Sequence, residues 1–446
     1  MKHLFYLLLF ICLIPNVYSQ RRMENLDRGL VAAKVTNGVY INWRIPAQEW
    51  RNVNYNLYRD QVKLNTTPIT GASNYVDASG TLTSKYKIAA VIDGVEQPAC
   101  PEVAVQPNPY FEITLEPIPK IDGVPDTYYN DYRTNDITTA DLDGDGAYDF
   151  IVKRMNEGYD SANPFENKYY TLFDAYKSDG TFMWRIDVGP NLFHNVEITV
   201  IAYDFDGDGK AEVVMRTSEG TVDGLGNIIP DLGNAQGANT PDGKTNYRDR
   251  LQNNGQWFEY EGPEYLSLFD GETGEMLDRI DHIARQPVSQ WGTSGTQAGG
   301  LAHRSTKFFY GAPYLDGLHP SLLITRGIYY RTKMATYDII DRKFAKRWDF
   351  DSGTGAYCGQ GNHNYSIADV DNDGRDEIVY GSMTIDDDGQ GLYSTGLGHG
   401  DAIHAGDFDP YRKGLEVFAC LEESPYYGTT LRAAEDGKIL LQYIAG

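Results

Sequence analysis

The chain is poor in cysteine, in basic residues and in long apolar runs, and each shortage removes a class of protein. Four cysteines occur in 446 residues. Cys12 falls in an N-terminal apolar stretch, so Cys100, Cys358 and Cys420 remain for the body of the chain; they allow at most one internal disulfide, and a disulfide-stapled framework is excluded. Lys and Arg total 39 against 63 Asp and Glu, a formal net charge of −24. That balance argues against nucleic acid as a partner, because phosphate backbones are bound by basic patches. It also means that an acidic ligand can bind only where cations locally invert the potential. After the first 20 residues no run reaches the ~18 apolar residues of a membrane helix, and no amphipathic helical stretch of useful length occurs.

The first 19 residues read as a processing signal. Lys2 and His3 precede LFYLLLFICLI, and Val17-Tyr18-Ser19 places a small residue ahead of a cut before Gln20. Cys12 follows Ile11, not a small residue, so lipid attachment there is not expected. The signal predicts a secreted, periplasmic or cell-surface protein.

What the chain has in abundance is acid at regular spacing. DLDGDGAYDFIV begins at Asp141, DFDGDGKAEVVM at Asp204, DVDNDGRDEIVY at Asp369 and a degraded DFDPYRKGLEVF at Asp407. Carboxylates at alternate positions of a tight loop converge on one point, a glycine such as Gly144 or Gly207 permits the turn, and a later acid closes an oxygen cage suited to calcium. The expected ligands are Asp141, Asp143, Asp145 and Asp149, with the Ala147 carbonyl; Asp204, Asp206, Asp208 and Glu212; Asp369, Asp371, Asp373 and Glu377; and Asp407, Asp409 and Glu416. Closure falls at loop position 9 and a strand-like run follows, whereas an EF-hand closes at position 12 between helices. An EF-hand is therefore rejected, and several calcium ions are expected.

From about Glu24 to Val105 short runs such as GVYINWRI, NYNLYRD and SKYKIAAVI alternate apolar and polar residues between Asn37-Gly38, Thr70-Gly71, Ser79-Gly80 and Asp93-Gly94 turns. About seven strands, with Trp43 placed for the core, predict a fibronectin- or immunoglobulin-like β-sandwich over 20–106. A proline-rich connector spans 107–127.

A second repeat fills residues 128–446. LFDAYKSDGTFMWRID from Leu172, LFDGETGEMLDRID from Leu268, TYDIIDRKFAKRWDFD from Thr336 and RAAEDGKILLQYIAG from Arg432 each read as a hairpin. Calcium loop, strand and hairpin make a four-stranded antiparallel unit, and radial repetition of such units is a β-propeller. The calcium loops start 63, 165 and 38 residues apart, so the long middle interval is expected to hold at least two further blades, giving five or six in all.

Longer motifs carry a resemblance. GQGNHNYSIADVDNDGRDEIVYGSMTIDDDGQGLYSTGLGHGDAIHAGDFDPYRKGLEVF, GPEYLSLFDGETGE, AYDFDGDGKAEVVMRTSEGTVDG and PYLDGLHPSLLITRGIYYRTKM resemble the rhamnogalacturonan lyases of polysaccharide lyase family 11, and GVYINWR and YNLYRD match that family's opening. The likeness implies an eight-bladed calcium-loop propeller behind the sandwich and cleavage of the pectin backbone by β-elimination. Two departures stand out. GTSGTQAGGLAHRSTKFFY follows RQPVSQWG where the family continues with a GNR-type motif, and a ring of the family type is expected to extend beyond Gly446.

Elimination from a galacturonate unit needs a cation on its carboxylate, a base for the carbon 5 proton and an acid for the leaving oxygen. Three groups of residues are candidates. Arg326, Tyr330, Arg331 and Lys333 set cations beside aromatics, with Arg331 and Lys333 as catalytic groups and Arg326 and Tyr330 as substrate contacts. His363, His399 and His404 flank the third and fourth loops; His363, His399 and Asp401 are candidate metal ligands and His404 a substrate contact. Arg412, inside the fourth loop, is the third catalytic candidate. The partner is the acidic polysaccharide, and the chain is expected to be a monomer with no membrane span. A non-catalytic, calcium-stabilised adhesive propeller of the integrin type is the competing reading; it needs loops and an aromatic platform but no cationic cleft.

Overall fold

A computed structural model describes residues 21–46, 52–120, 132–156, 171–189, 198–229, 250–253, 256–259, 263–285, 287–292 and 304–444, with positions 49 and 192. The processing signal, part of the connector and most of the GTSGTQAGGLAHRS departure lie outside the described residues.

The N-terminal unit contains β1 (Val31–Val35), β2 (Gly38–Asn42), β3 (Val53–Arg59), β4 (Val62–Lys63), β5 (Asn74–Asp77), β6 (Lys85–Ile92), β7 (Val95–Ala99) and β8 (Val103–Gln106). One layer runs β5-β2-β1-β8, the other pairs β4-β3-β6 with β7 beside β6, and β8 joins the two layers by pairing parallel to β1 and antiparallel to β6. Alternation drives the packing: Val39 and Ile41 of β2 point inward while Tyr40 between them is exposed. Trp43, Tyr55 and Tyr86 fill the core between the layers, with the Trp43 ring edge-on to Tyr55 at 5.2 Å. Cys100, Cys358 and Cys420 are free thiols.

Five four-stranded antiparallel sheets follow among the described residues. The first is β9 (Tyr132–Ala140), β10 (Asp149–Asn156), β11 (Leu172–Tyr176) and β12 (Phe182–Asp187). In the second, β13 (Val200–Tyr203) and β14 (Glu212–Thr217) join β17 (Tyr265–Phe269) and β18 (Met276–Asp281), with a separate hairpin of β15 (Arg250–Asn253) and β16 (Gln256–Glu259) in the connection. The third is β19 (Phe308–Gly311), β20 (Leu322–Arg326), β21 (Lys333–Ile340) and β22 (Lys343–Asp351). The fourth is β23 (Ser366–Ala368), β24 (Glu377–Tyr380), β25 (Met383–Ile385) and β26 (Gly391–Ser394), and the fifth is β27 (Ile403–Gly406), β28 (Glu416–Leu421), β29 (Gly428–Ala433) and β30 (Ile439–Ile444).

The interval between the second and third carboxylate loops departs from expectation. Among the described residues it holds one additional four-stranded sheet, β19–β22, where two were expected; the surplus length falls between β14 and β17 and between β18 and β19. Insertions in connections leave the strand pairing intact, so loop spacing overcounts sheets.

Apolar clusters bind each sheet to the next, from β9–β14 through to β23–β29. Second strands such as β14 and β24 are buried along their whole length, which is why VVM and IVY are continuous apolar runs without polar alternation. First strands of neighbouring sheets touch, β9 with β13, β13 with β19 and β23 with β27. Asn364 Nδ2 donates to Ile403 O at 2.9 Å and Ala405 N to Ser366 Oγ at 3.1 Å, so β23 and β27 run in the same direction. In each meander the turns after the first and third strands therefore share one end, and the connection after the second strand lies at the other.

Candidate functional site

At one end of the sheets stand the carboxylate loops. In the first, Asp141 accepts from Gly144 N and Gly146 N, both at 2.8 Å, and Asp149 accepts from Leu142 N at 3.1 Å. The second repeats this skeleton with Asp204 and Glu212, the third with Asp369 and Glu377. Gly144 and Gly207 adopt φ of +81° and +77°, and Asn372 takes φ +67° at the corresponding place in the third loop, the left-handed region that asparagine tolerates best after glycine. Asp141, Asp143 and Asp149 converge to within 4.8 Å, as do Asp204, Asp206 and Glu212, and Asp369, Asp371 and Glu377. These sets fit a hard divalent cation. Burial, then neighbouring aspartates, pushes Asp149 to about 6 and Glu212 to about 8; a bound cation would return both to the anionic form.

The fourth loop keeps the skeleton but not the cage. Phe408 N and Asp409 N donate to Glu416 Oε2, each at 2.9 Å, while Arg412 Nη1 donates to Glu416 Oε1 at 2.9 Å and Nη2 to Glu435. Burial pushes Glu416 up, but the Asp409 N–H and the Arg412 guanidinium outweigh it and hold the carboxyl below its usual range.

The connection from β20 to β21, residues 327–332, lies at the opposite end. Tyr329, at φ +66°, has its hydroxyl 3.1 Å from His363 Nε2 and its ring 4.3 Å from that of His399. His399 Nδ1 meets Gly361 O at 2.5 Å and its Nε2 lies 3.4 Å from Glu422. Arg331 makes two bonds to Asp351, at 2.7 and 2.5 Å, and Lys333 Nζ stands 3.7 Å from the same carboxylate. Beneath this loop Glu264 is enclosed by Arg216 at 2.7 Å, Arg326 at 2.7 Å and Arg285 at 3.8 Å. Burial alone would raise Glu264, yet Arg285, Arg326 and Arg216 hold it well below the carboxylate range. The ring of Trp291 lies between Arg326 and Lys333, 5.6 and 5.8 Å from their cationic groups. These two clusters set five cations against two carboxylates in a chain whose net charge is −24.

Residues 110–446 match the family model of the rhamnogalacturonan lyase family 11 C-terminal domain, and residues 21–106 match that of the rhamnogalacturonan I lyase β-sheet domain. The chain belongs to rhamnogalacturonan lyase family 11. It is 44% identical to the rhamnogalacturonan endolyase YesW of Bacillus subtilis over 98% of its length and 42% identical to the exolyase YesX of the same organism over 96%, spanning 67% of each relative. The crystal structures of YesX and YesW superpose with TM-scores of 0.81 at 41% and 43% identity, each over 96% of this chain and covering 68% and 70% of theirs. As a member of the family the protein is a polysaccharide lyase, and the non-catalytic adhesive reading is not favoured.

The lyase fold distributes the expected site residues between the two ends. Asp145, Asp208 and Asp373 sit at loop tips, where each accepts the backbone N–H two residues on, and fall outside the convergent triads. Asp407, Asp409 and Glu416 form no such triad, because Arg412 supplies the positive charge at Glu416. Arg412 is thereby separated from Arg331 and Lys333 by the length of a sheet. Arg326 is fully buried against Glu264, which corrects its expected role as a substrate contact. His363, His399 and Asp401 lie at the end away from the carboxylate loops and enter none of the convergent groups among the described residues. His404 points from β27 onto the outer face of the last sheet, beside Phe408 and Phe418. Tyr329 and Glu264 carry no signal of their own in the sequence: Tyr329 is obscured by its neighbour Tyr330, and Glu264 meets Arg326 across 62 residues.

Proposed function

We propose that this lyase cuts the rhamnogalacturonan backbone by β-elimination at the end of its sheets opposite the carboxylate loops, the five sheets being consecutive blades of a calcium-loop propeller of the family's eight-bladed type. The observation that carries this is the gathering of Arg216, Arg285, Arg326, Arg331 and Lys333 about Glu264 and Asp351 by the 327–332 connection, since an anionic sugar chain is drawn to a cationic cluster on an otherwise acidic protein. The loop end is also covered. Residues 21–27 run across it: Arg21 makes two bonds to Asp376, Tyr314 Oη donates to Arg22 O, and Asp27 N donates to Gly146 O.

In this reading Lys333 neutralises the galacturonate carboxylate, with Arg331 and Asp351 fixing its position. That makes the proton on carbon 5 removable. The Tyr329–His363 pair serves proton transfer: a base takes the carbon 5 proton, the electron pair forms the carbon 4–carbon 5 double bond, the bond from carbon 4 to the rhamnosyl oxygen breaks, and that oxygen is protonated. Calcium, when bound, gathers the carboxylates of the first three loops and stiffens the turns. Strands such as β28, six residues long, put about 20 Å between the two ends, so a cation held by these carboxylates would lie beyond reach of a substrate at the 327–332 connection. The processing signal supports export to where pectin is met.

The test is absorbance at about 235 nm, where the unsaturated uronate product absorbs, with rhamnogalacturonan and about 1 mM calcium. The parent protein should give a rise that homogalacturonan does not, and Lys333→Met should lower kcat/KM by ~10²-fold or more. Folded, calcium-loaded protein that gives no rise overturns the assignment. A Lys333→Met variant with parental kcat/KM moves the reacting centre elsewhere.

A further inference from the structure

The turn after β25 reads Asp386-Asp387-Asp388 and stands beside the third carboxylate loop without belonging to it. One oxygen each of Glu377, Asp386 and Asp387 lie within 4.8 Å of one another, and Glu377 is also the closing ligand of the triad with Asp369 and Asp371. Glu377 is 0% exposed. Its Oε2 accepts from Val370 N at 2.7 Å, whereas Oε1 is buried with no hydrogen-bond partner among the described residues. A buried carboxylate oxygen left without a partner costs on the order of 1–3 kcal/mol or more, and two further carboxylates beside it add repulsion. Arg375 Nη1 donates to Asp387 at 2.7 Å and offsets one of these charges.

The equivalent turns of the first and second sheets are built differently. Lys177 occupies the first, with its amine 2.5 Å from Asp143, and acts as a resident counter-ion for that loop. Asp270 occupies the second but is paired with Arg342, and it joins no convergent group with Glu212. The third loop therefore gathers two extra carboxylates where the first has a cation, and they converge on Glu377, whose Oε1 is buried without a hydrogen-bond partner among the described residues.

We propose that Asp386 and Asp387 are ligands for a divalent cation of the calcium class held jointly with Glu377, making the third loop the tightest cation site of the chain. More anionic oxygens around one ion raise calcium affinity, and a lysine at the same turn lowers it. This rests on the reading that the carboxylate loops take calcium.

The experiment is calcium titration of the full chain after chelator treatment, read by competition with a chromophoric chelator, for the parent, the double variant Asp386→Asn with Asp387→Asn, and Asp388→Asn. Asp388 lies outside the convergent group, and its Oδ1 accepts from Gln390 N at 2.8 Å, a bond asparagine preserves. The double variant is expected to weaken the tightest phase at least tenfold and leave the weaker phases unchanged, with Asp388→Asn binding as the parent does. Far-UV circular dichroism of the calcium-free proteins checks that both variants fold. A parent that binds no calcium removes the loop reading and this inference with it. A parent that binds, with a double variant whose tightest phase stays within twofold, overturns the inference alone, as does equal weakening by Asp388→Asn.

Discussion

Replacing Glu264 by Gln is the most demanding test of how the cationic end is held together. The carboxylate accepts from Arg216 and Arg326 at 2.7 Å each, with Arg285 at 3.8 Å, and the Arg216 and Arg326 side chains are 3% and 0% exposed. Glutamine preserves the shape and one acceptor oxygen but removes the charge and turns an N–H₂ group toward a guanidinium. Three buried cations then lack their shared anion. Removing one partner of a buried ion pair costs ~3–5 kcal/mol because the remaining charge stays desolvated. With an unfolding entropy of ~2.1 cal/mol/K per residue, a cooperative unit of roughly 300 residues loses about 6 °C for 4 kcal/mol. Differential scanning calorimetry in saturating calcium reads this directly. A Glu264→Gln variant melting within about 1 °C of the parent refutes the argument: the arginines would then be solvated or paired elsewhere, and Arg326 would again be available to substrate.

Two further outcomes follow from the geometry. Arg412→Gln takes the guanidinium from Glu416 and Glu435 and should lower the melting temperature while leaving lyase turnover at 25 °C unchanged; a raised KM at parental melting temperature would return Arg412 to the substrate. Burial, followed by the charges of Arg326 and Arg216, lowers His282 from 6.5 to about 3, so the folded state keeps it neutral where the unfolded chain protonates it. The associated stability is full above pH 6.5 and is lost as pH falls toward 3, by at most ~1.4 kcal/mol per pH unit. Comparing melting temperatures at pH 7 and pH 4.5 for the parent and His282→Gln isolates this share, and the variant should lose less on acidification.

Local chemistry made much of the molecule legible. Residues alternating in GVYINWRI become β2 with Val39 and Ile41 inside, and the hairpins from Leu172, Leu268, Thr336 and Arg432 lie in β11–β12, β17–β18, β21–β22 and β29–β30. A carboxylate loop needs its ligands close in sequence, so nine residues suffice to recognise it. Loop four misled for the same reason. Its Asp407, Asp409 and Glu416 keep the pattern, but the charge that decides its occupancy comes from Arg412, whose second partner Glu435 lies 23 residues on. Arg326 and Lys333 pair across β20 and β21, yet one is sealed against Glu264 and the other reaches the surface. That difference arises from a residue 62 positions upstream of Arg326.

By itself the sequence determined the all-β class, the family, the sandwich ahead of the repeats and the carboxylate triads of the first three loops, because each rests on periodicity or on residues within about ten positions of one another. Tertiary structure alone decided which end of the sheets is cationic, that Arg326 and Arg412 are held by buried or neighbouring carboxylates, that His404 stands apart from His363 and His399, and that Glu377 faces Asp386 and Asp387. Those features depend on which strands lie side by side and which end of each meander a loop occupies. Net charge and spacing carry no record of either, since long-range pairing is fixed by burial of the apolar faces between sheets.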